Sequence, residues 1–250
     1  MVIISAALAC AVSGAALAAS VMEKDVITVG TEGTYPPYEF YDSSNSLTGF
    51  DMDLVKKVSE KIGRKIEIVD MAFDGLIPAL LTGKIDVIAA ALNSTEERKQ
   101  KVDFSDVYDI ADAAILTKAD NDTLKTLEDI KGKIVGVQLG TVEDNFLSNL
   151  DMGLEIKRYQ KTDDAVREVI LGRNDCVLIG TLVANSYIDS ERFKGALKIA
   201  FRQVVNKPDE GFSFAIRKND QQFMDALNSA LKELKDSGEI KELKKKYRMD

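Results

Sequence analysis

The chain has 250 residues, no histidine, and only two cysteines, Cys10 and Cys176. Without histidine it lacks the commonest general acid–base and the commonest metal ligand. Once a leader is removed, the one remaining cysteine can form neither an internal disulfide nor a zinc centre. No metal or other cofactor is expected. Runs of basic residues are missing too. Thirty-three Lys and Arg stand against 41 Asp and Glu, a formal charge of −8, and no stretch is long enough to neutralise a row of phosphates. That composition argues against nucleic acid as a partner. The one apolar run of any length is residues 1–20, MVIISAALACAVSGAALAAS. Its Ala, Ser and Gly make it a marginal spanning segment, which needs about 20 strongly apolar residues. It reads instead as a signal peptide with Ala16-Leu17-Ala18 as a small-x-small cleavage site, which sends the mature chain to a periplasmic or other extracytoplasmic space. Cys10, after Ala7-Leu8-Ala9, offers lipid anchoring as the alternative, but the apolar stretch before it is short.

What is present is a repeated alternation of strand-like and helix-like segments. Apolar, β-branched runs fall at 26–31, 65–71, 85–90, 113–118, 133–139, 155–159, 175–179, 197–204 and 212–217. Helical periodicity lies between them, most clearly over 51–62, where Leu54, Val55, Val58 and Ile62 share a face and Gly63 marks the stop. Asp51 is the expected N-cap of that helix. The spacing in Ser94-Thr95-Glu96-Glu97 fits a capping box. Two closing helices, split at Gly238, carry the apolar stripe Phe223, Leu227, Leu231 and Leu234. This order predicts an α/β protein with mainly parallel sheets. The βα pattern appears twice, so two lobes are expected: 26–112 with 209–250, and 113–208, joined by two crossing segments.

In open α/β sheets ligands sit beyond the carboxyl ends of the strands. The first such loop runs from Gly30 to Phe40, with Glu32, Tyr35 and Tyr38 on it, and Phe73 opens the next. These aromatics either wall a pocket or belong to the core. The third loop, Ala91-Leu92-Asn93 through Arg98, puts a guanidinium in the first turn of a short helix, where the dipole disfavours a cation unless an anion meets it. A surface pairing with Glu96 or Glu97 is the competing reading. Gln138-Leu139-Gly140-Thr141-Val142 makes the corresponding turn in the second half, and its backbone N–H groups can face the same anion.

These loops, with Leu47 to Asp53, Phe73 to Leu80, Gly83 to Asp86 and Val102 to Ser105, resemble the periplasmic substrate-binding proteins of polar amino-acid ABC transporters. The resemblance covers essentially everything after the leader. It implies a type II, two-lobed clamp that works as a monomer and hands a small ligand to a membrane permease. By position it implies that Arg98 binds the ligand carboxylate, helped by backbone near Thr141 and Val142. Tyr35 and Phe73 would sandwich the ligand, with Glu32 and Gln138 along its side chain. Three positions depart from the pattern: Ala91, Asn93 and, most consequentially, Gly180, where an aspartate usually pairs with the α-ammonium. Enclosing an ammonium without an anion costs several kcal/mol. Hence either Glu32 takes over or the ligand lacks an ordinary α-amino group. A ligand-sensing receptor domain and a small-molecule lyase are the competing functions; for the lyase, Glu32 is the main acid–base group the sequence offers.

Overall fold

The computed structural model describes residues 20–249. Residues 1–19 of the expected signal segment, Cys10 among them, lie outside that range. Two five-stranded sheets organise the chain. In the first, the strands run in the order Lys65–Asp70, Val26–Thr31, Val87–Ile88, Ala215–Ile216, Asp103–Phe104. In the second the order is Glu155–Tyr159, Ile134–Gln138, Cys176–Gly180, Ala113–Lys118, Leu197–Gln203. Each sheet has a parallel core of three strands closed by two antiparallel pairings, so the sheets are mixed where mainly parallel ones are expected. The antiparallel strands arise where the chain enters or leaves a sheet along a crossing rather than through a βα unit.

The chain crosses between the sheets in segments 105–112 and 204–214, and the two crossings bond to each other. Tyr108 N–H donates to Phe212 O at 3.0 Å, and Phe212 N–H returns a bond to Asp109 O at 2.8 Å. The helix Phe50–Ile62 starts one residue before the expected point, with Gly49 at the cap and Gly63 in left-handed conformation at its end. Asp51 is therefore inside the helix and fully buried. Its carboxylate turns away from the helix end to bind Ala91 N–H and the Tyr108 hydroxyl. The expected stripe on Gln221–Asp236 is buried, and that helix packs on Phe50–Ile62. Among the described residues, no helix is long and apolar enough to cross a membrane.

The candidate ligand cavity

The parallel strands of both sheets end where the sheets face each other, and their loops enclose a cavity. The first sheet's side supplies Glu32, Tyr35, Glu39, Phe73, Ala90, Ala91 and Asn93. The second side supplies Gln138, Thr141 and Glu143. The space is about 10 Å³, near the least that holds one water. An amino-acid-sized molecule enters only if the halves part.

Direct hydrogen bonds span the two halves around this cavity. Gln138 Nε2 donates to Glu32 Oε2 at 2.8 Å, Gly180 N–H to Tyr35 Oη at 3.2 Å, and Thr162 N–H to Thr34 Oγ1 at 3.1 Å. Tyr187 Oη donates to Thr34 O at 2.9 Å. Arg98 binds both sides at once, with Nη1 to Asn93 O at 2.9 Å and Nη2 to Gly140 O at 3.0 Å. Its guanidinium lies 5.6 Å from the Phe73 ring centre, at the rim between the cavity and an outer groove that also touches Thr141 and Val142. It is buried rather than paired with Glu96 or Glu97 on the surface.

Loop chemistry positions these groups. Thr95 caps the short helix Glu96–Lys99 by accepting from Arg98 N–H, one residue later than Ser94 would. Ala91 adopts φ +43°, sparsely populated for a side-chain-bearing residue, and the buried bond from its N–H to Asp51 at 2.8 Å holds it there. Thr141 caps Val142–Ser148 while its hydroxyl donates to Gln138 O. Asn93 spends its amide nitrogen on Glu210 O at 2.9 Å.

Not every expected residue reaches the cavity. Tyr38 is fully buried, packs edge-on against Phe50 and Phe212, and donates to Asp109 at 2.8 Å. It belongs to the core beneath Tyr35 and is no wall. Leu92 packs with Leu76, Leu80 and Val102 in the apolar cluster of the first sheet. Val142 faces the outer groove, and Gly180 meets the site through the Tyr35 hydroxyl. The sequence reading missed Glu39, Ala90 and Glu143. Glu39 could have been found by its cross-strand pairing with Tyr35, had the hairpin register been known.

Burial dominates the electrostatics. It pushes the Glu32 carboxyl up to about 7, against hydrogen bonds from Thr34 and Gln138; Asp70 adds to the rise and Lys161 opposes it. Glu39 is raised well above the carboxylate range by burial, then by the charges of Asp51 and Glu32. Glu143 is raised by burial, against its own backbone N–H, Thr141 and Arg98. Arg98 is lowered by burial to about 10, opposed first by Glu143, and stays a cation at neutral pH.

A two-sided cavity lined by Glu32, Glu39 and Glu143, with the buried Arg98 guanidinium at its rim, suits a small polar solute held from both sides. Residues 27–250 match the family model of bacterial extracellular solute-binding proteins, family 3. The chain belongs to that family. Within it, the chain is similar to the arginine-binding extracellular protein ArtP of Bacillus subtilis, 36% identical over 90% of this chain and 86% of that one. A probable histidine-binding protein of Campylobacter jejuni is 37% identical over 90% of this chain and 85% of its own length. Among solved structures, an ancestral arginine-binding protein bound to arginine superposes with a TM-score of 0.85 at 39% identity, covering 90% and 98% of the two chains. All three are named as binding proteins, and the two-lobed family fold accounts for the paired mixed sheets.

Proposed function

We propose that this family 3 member captures an amino acid between its lobes and presents it to the permease of an ABC transporter, working as a monomer without chemical turnover. Residues 26–112 with 209–250 would form one lobe and 113–208 the other. The observation that carries this reading is Arg98, a buried cation bonded to backbone from both sides of the cavity. A guanidinium so held accepts a carboxylate bidentately once the lobes part and reclose around it. Tyr35 and Phe73 would flank the ligand, and Glu32, Gln138, Ala91, Asn93 and the Thr141–Val142 backbone would surround it. The relatives named for arginine and histidine support an amino acid as the class, and the family's extracellular character supports work in the periplasm or an equivalent space.

The test is calorimetry on protein stripped of ligand by unfolding and refolding, against the twenty amino acids. Small-angle scattering should show a smaller radius of gyration with the best ligand, and mass spectrometry should recover it unaltered. A chemically changed ligand would favour the lyase instead. Failure of every amino acid to bind would remove the reading.

A further inference from the structure

The first crossing is bound to the first sheet's side as far as Asp109 and to the second side from Asp112. Asp106 N–H donates to Asn228 Oδ1 at 2.8 Å, and the Tyr108 hydroxyl donates to Asp51. Asp112 O accepts from Thr181 N–H at 2.7 Å, in the second half. Between them Ile110 and Ala111 make no hydrogen bond among the described residues, and Ile110 is 58% exposed. The second crossing repeats this division. Asn93 and Ser94 hold Glu210 O and Gly211 O at 2.9 Å, whereas Val204, where the crossing begins, is 65% exposed. Rotation of one half on the other is therefore absorbed at residues 110–111 and near 204.

Asp109 stands at the fixed edge of the first bend. Its side chain is nearly buried, and each oxygen takes one donor: Tyr38 Oη on Oδ2 at 2.8 Å and Lys244 Nζ on Oδ1 at 2.6 Å. Lys244 comes from the last helix, Glu239–Lys246, which Lys57 pins to Phe50–Ile62 by donating to Glu239 at 2.6 Å. Tyr38 lies beneath the cavity wall, its ring stacked on Tyr35 at 6.1 Å between centres. Tyr35 in turn receives Gly180 N–H from the other half. One carboxylate thus joins the last helix, the root of the bend and the ring on which the second half lands. Asp51 is a second acid within reach of its charge, and among the described residues Lys244 is the cation paired with either.

We infer that Asp109 is a positioning residue for lobe closure: bonded at once to Tyr38 and Lys244, it fixes the root of the crossing to the first lobe, so that closure returns Gly180 to Tyr35 along one path. The inference rests on the clamp reading above and gives Asp109 no contact with ligand. Desolvation offsets most of what a charge pair at this depth adds to stability, so its effect falls on which arrangement the chain adopts.

Pulsed dipolar spectroscopy on the ligand-free mature chain tests this, with spin labels at Glu96→Cys and Asn145→Cys, which line the outer groove from opposite halves. Cys176 is fully buried and out of a label's reach. Asp109→Asn keeps an acceptor for Tyr38 but removes the charge, and should widen the distribution of label distances. Lys241 lines the same outer face as Lys244, so Lys244→Met is made together with Lys241→Met and should widen it too; Lys244→Arg should keep the wild-type width. Lys57→Met removes another anchor of the last helix and should leave the width unchanged. By calorimetry, whichever of the twenty amino acids bind wild type should bind D109N about 3- to 30-fold more weakly, because fewer molecules hold the competent arrangement. A wild-type width in D109N overturns the role of Asp109. Equal widening in K57M overturns it as well, since a loosened helix would then account for the effect. If D109N does not fold, the lysine variants, at partly exposed positions, carry the test. If no amino acid binds wild type, the amino-acid reading falls while the widths still decide the part played by Asp109.

Discussion

The Tyr35 hydroxyl accepts a hydrogen bond from Gly180 N–H at 3.2 Å and occupies space a side chain at position 180 would need, since a Cβ there would lie 2.7 Å from it. Gly180 has φ −55°, so its backbone does not require glycine; the close ring does. We expect Gly180→Ala to cost about 1–3 kcal/mol by overpacking. Tyr35→Phe should cost about 1 kcal/mol for the lost bond. The double variant should be more stable than the sum of the two, because removing the hydroxyl also removes the clash. Strict additivity in urea titrations would contradict this account.

Asp51 governs the cavity from behind. Its carboxylate takes the Ala91 N–H and the Tyr108 hydroxyl, both buried. Asp51→Ala orphans both donors, at about 1–3 kcal/mol for each buried group left unpaired, and frees Ala91 from its φ of +43°. Denaturation should show lower stability, and calorimetry weaker ligand binding. A variant as stable as wild type would show that Asp51 does not hold this loop.

The buried acids set a direction for pH. Glu32 rises from 4.5 to about 7 and Asp51 from 3.8 to about 7, both mainly by burial. Between the unfolded and folded values the native state keeps protons that the unfolded chain has lost. Stability from these groups is therefore fully present below about pH 4 and declines as pH rises through 7. Thermal melts of ligand-free protein should fall over that window, and Glu32→Gln should flatten the fall. A rise in melting temperature from pH 5 to 7 that Glu32→Gln leaves unaltered would contradict the assignment.

Local pattern made much of the fold legible. The strands Val26–Thr31, Ala113–Lys118 and Glu155–Tyr159 fall where periodicity puts them. The runs at 85–90 and 212–217 shrink to two-residue strands, because residues beside them are used differently: Phe212 bridges both Asn93 and Asp109. The loops were legible as places, since they follow strand ends. Which side chains they aim inward was not. Tyr35 and Tyr38 are three residues apart, and nothing local says that Tyr38 will find Asp109, 71 residues on. Glu143 reads locally as an acid complementing a helix dipole; only the packing of the two halves puts it in one cavity with Glu32 and Glu39.

The most direct test of the account is the effect of Arg98→Ala on the affinity of the best amino-acid ligand, with circular dichroism confirming that the variant is folded. Losing one partner of a buried charge pair should weaken binding by about 2–5 kcal/mol, and Arg98→Lys should recover only part of it because it lacks the bidentate fork. An Arg98→Ala protein that binds the same ligand with unchanged affinity would contradict the central claim that this guanidinium anchors the ligand carboxylate.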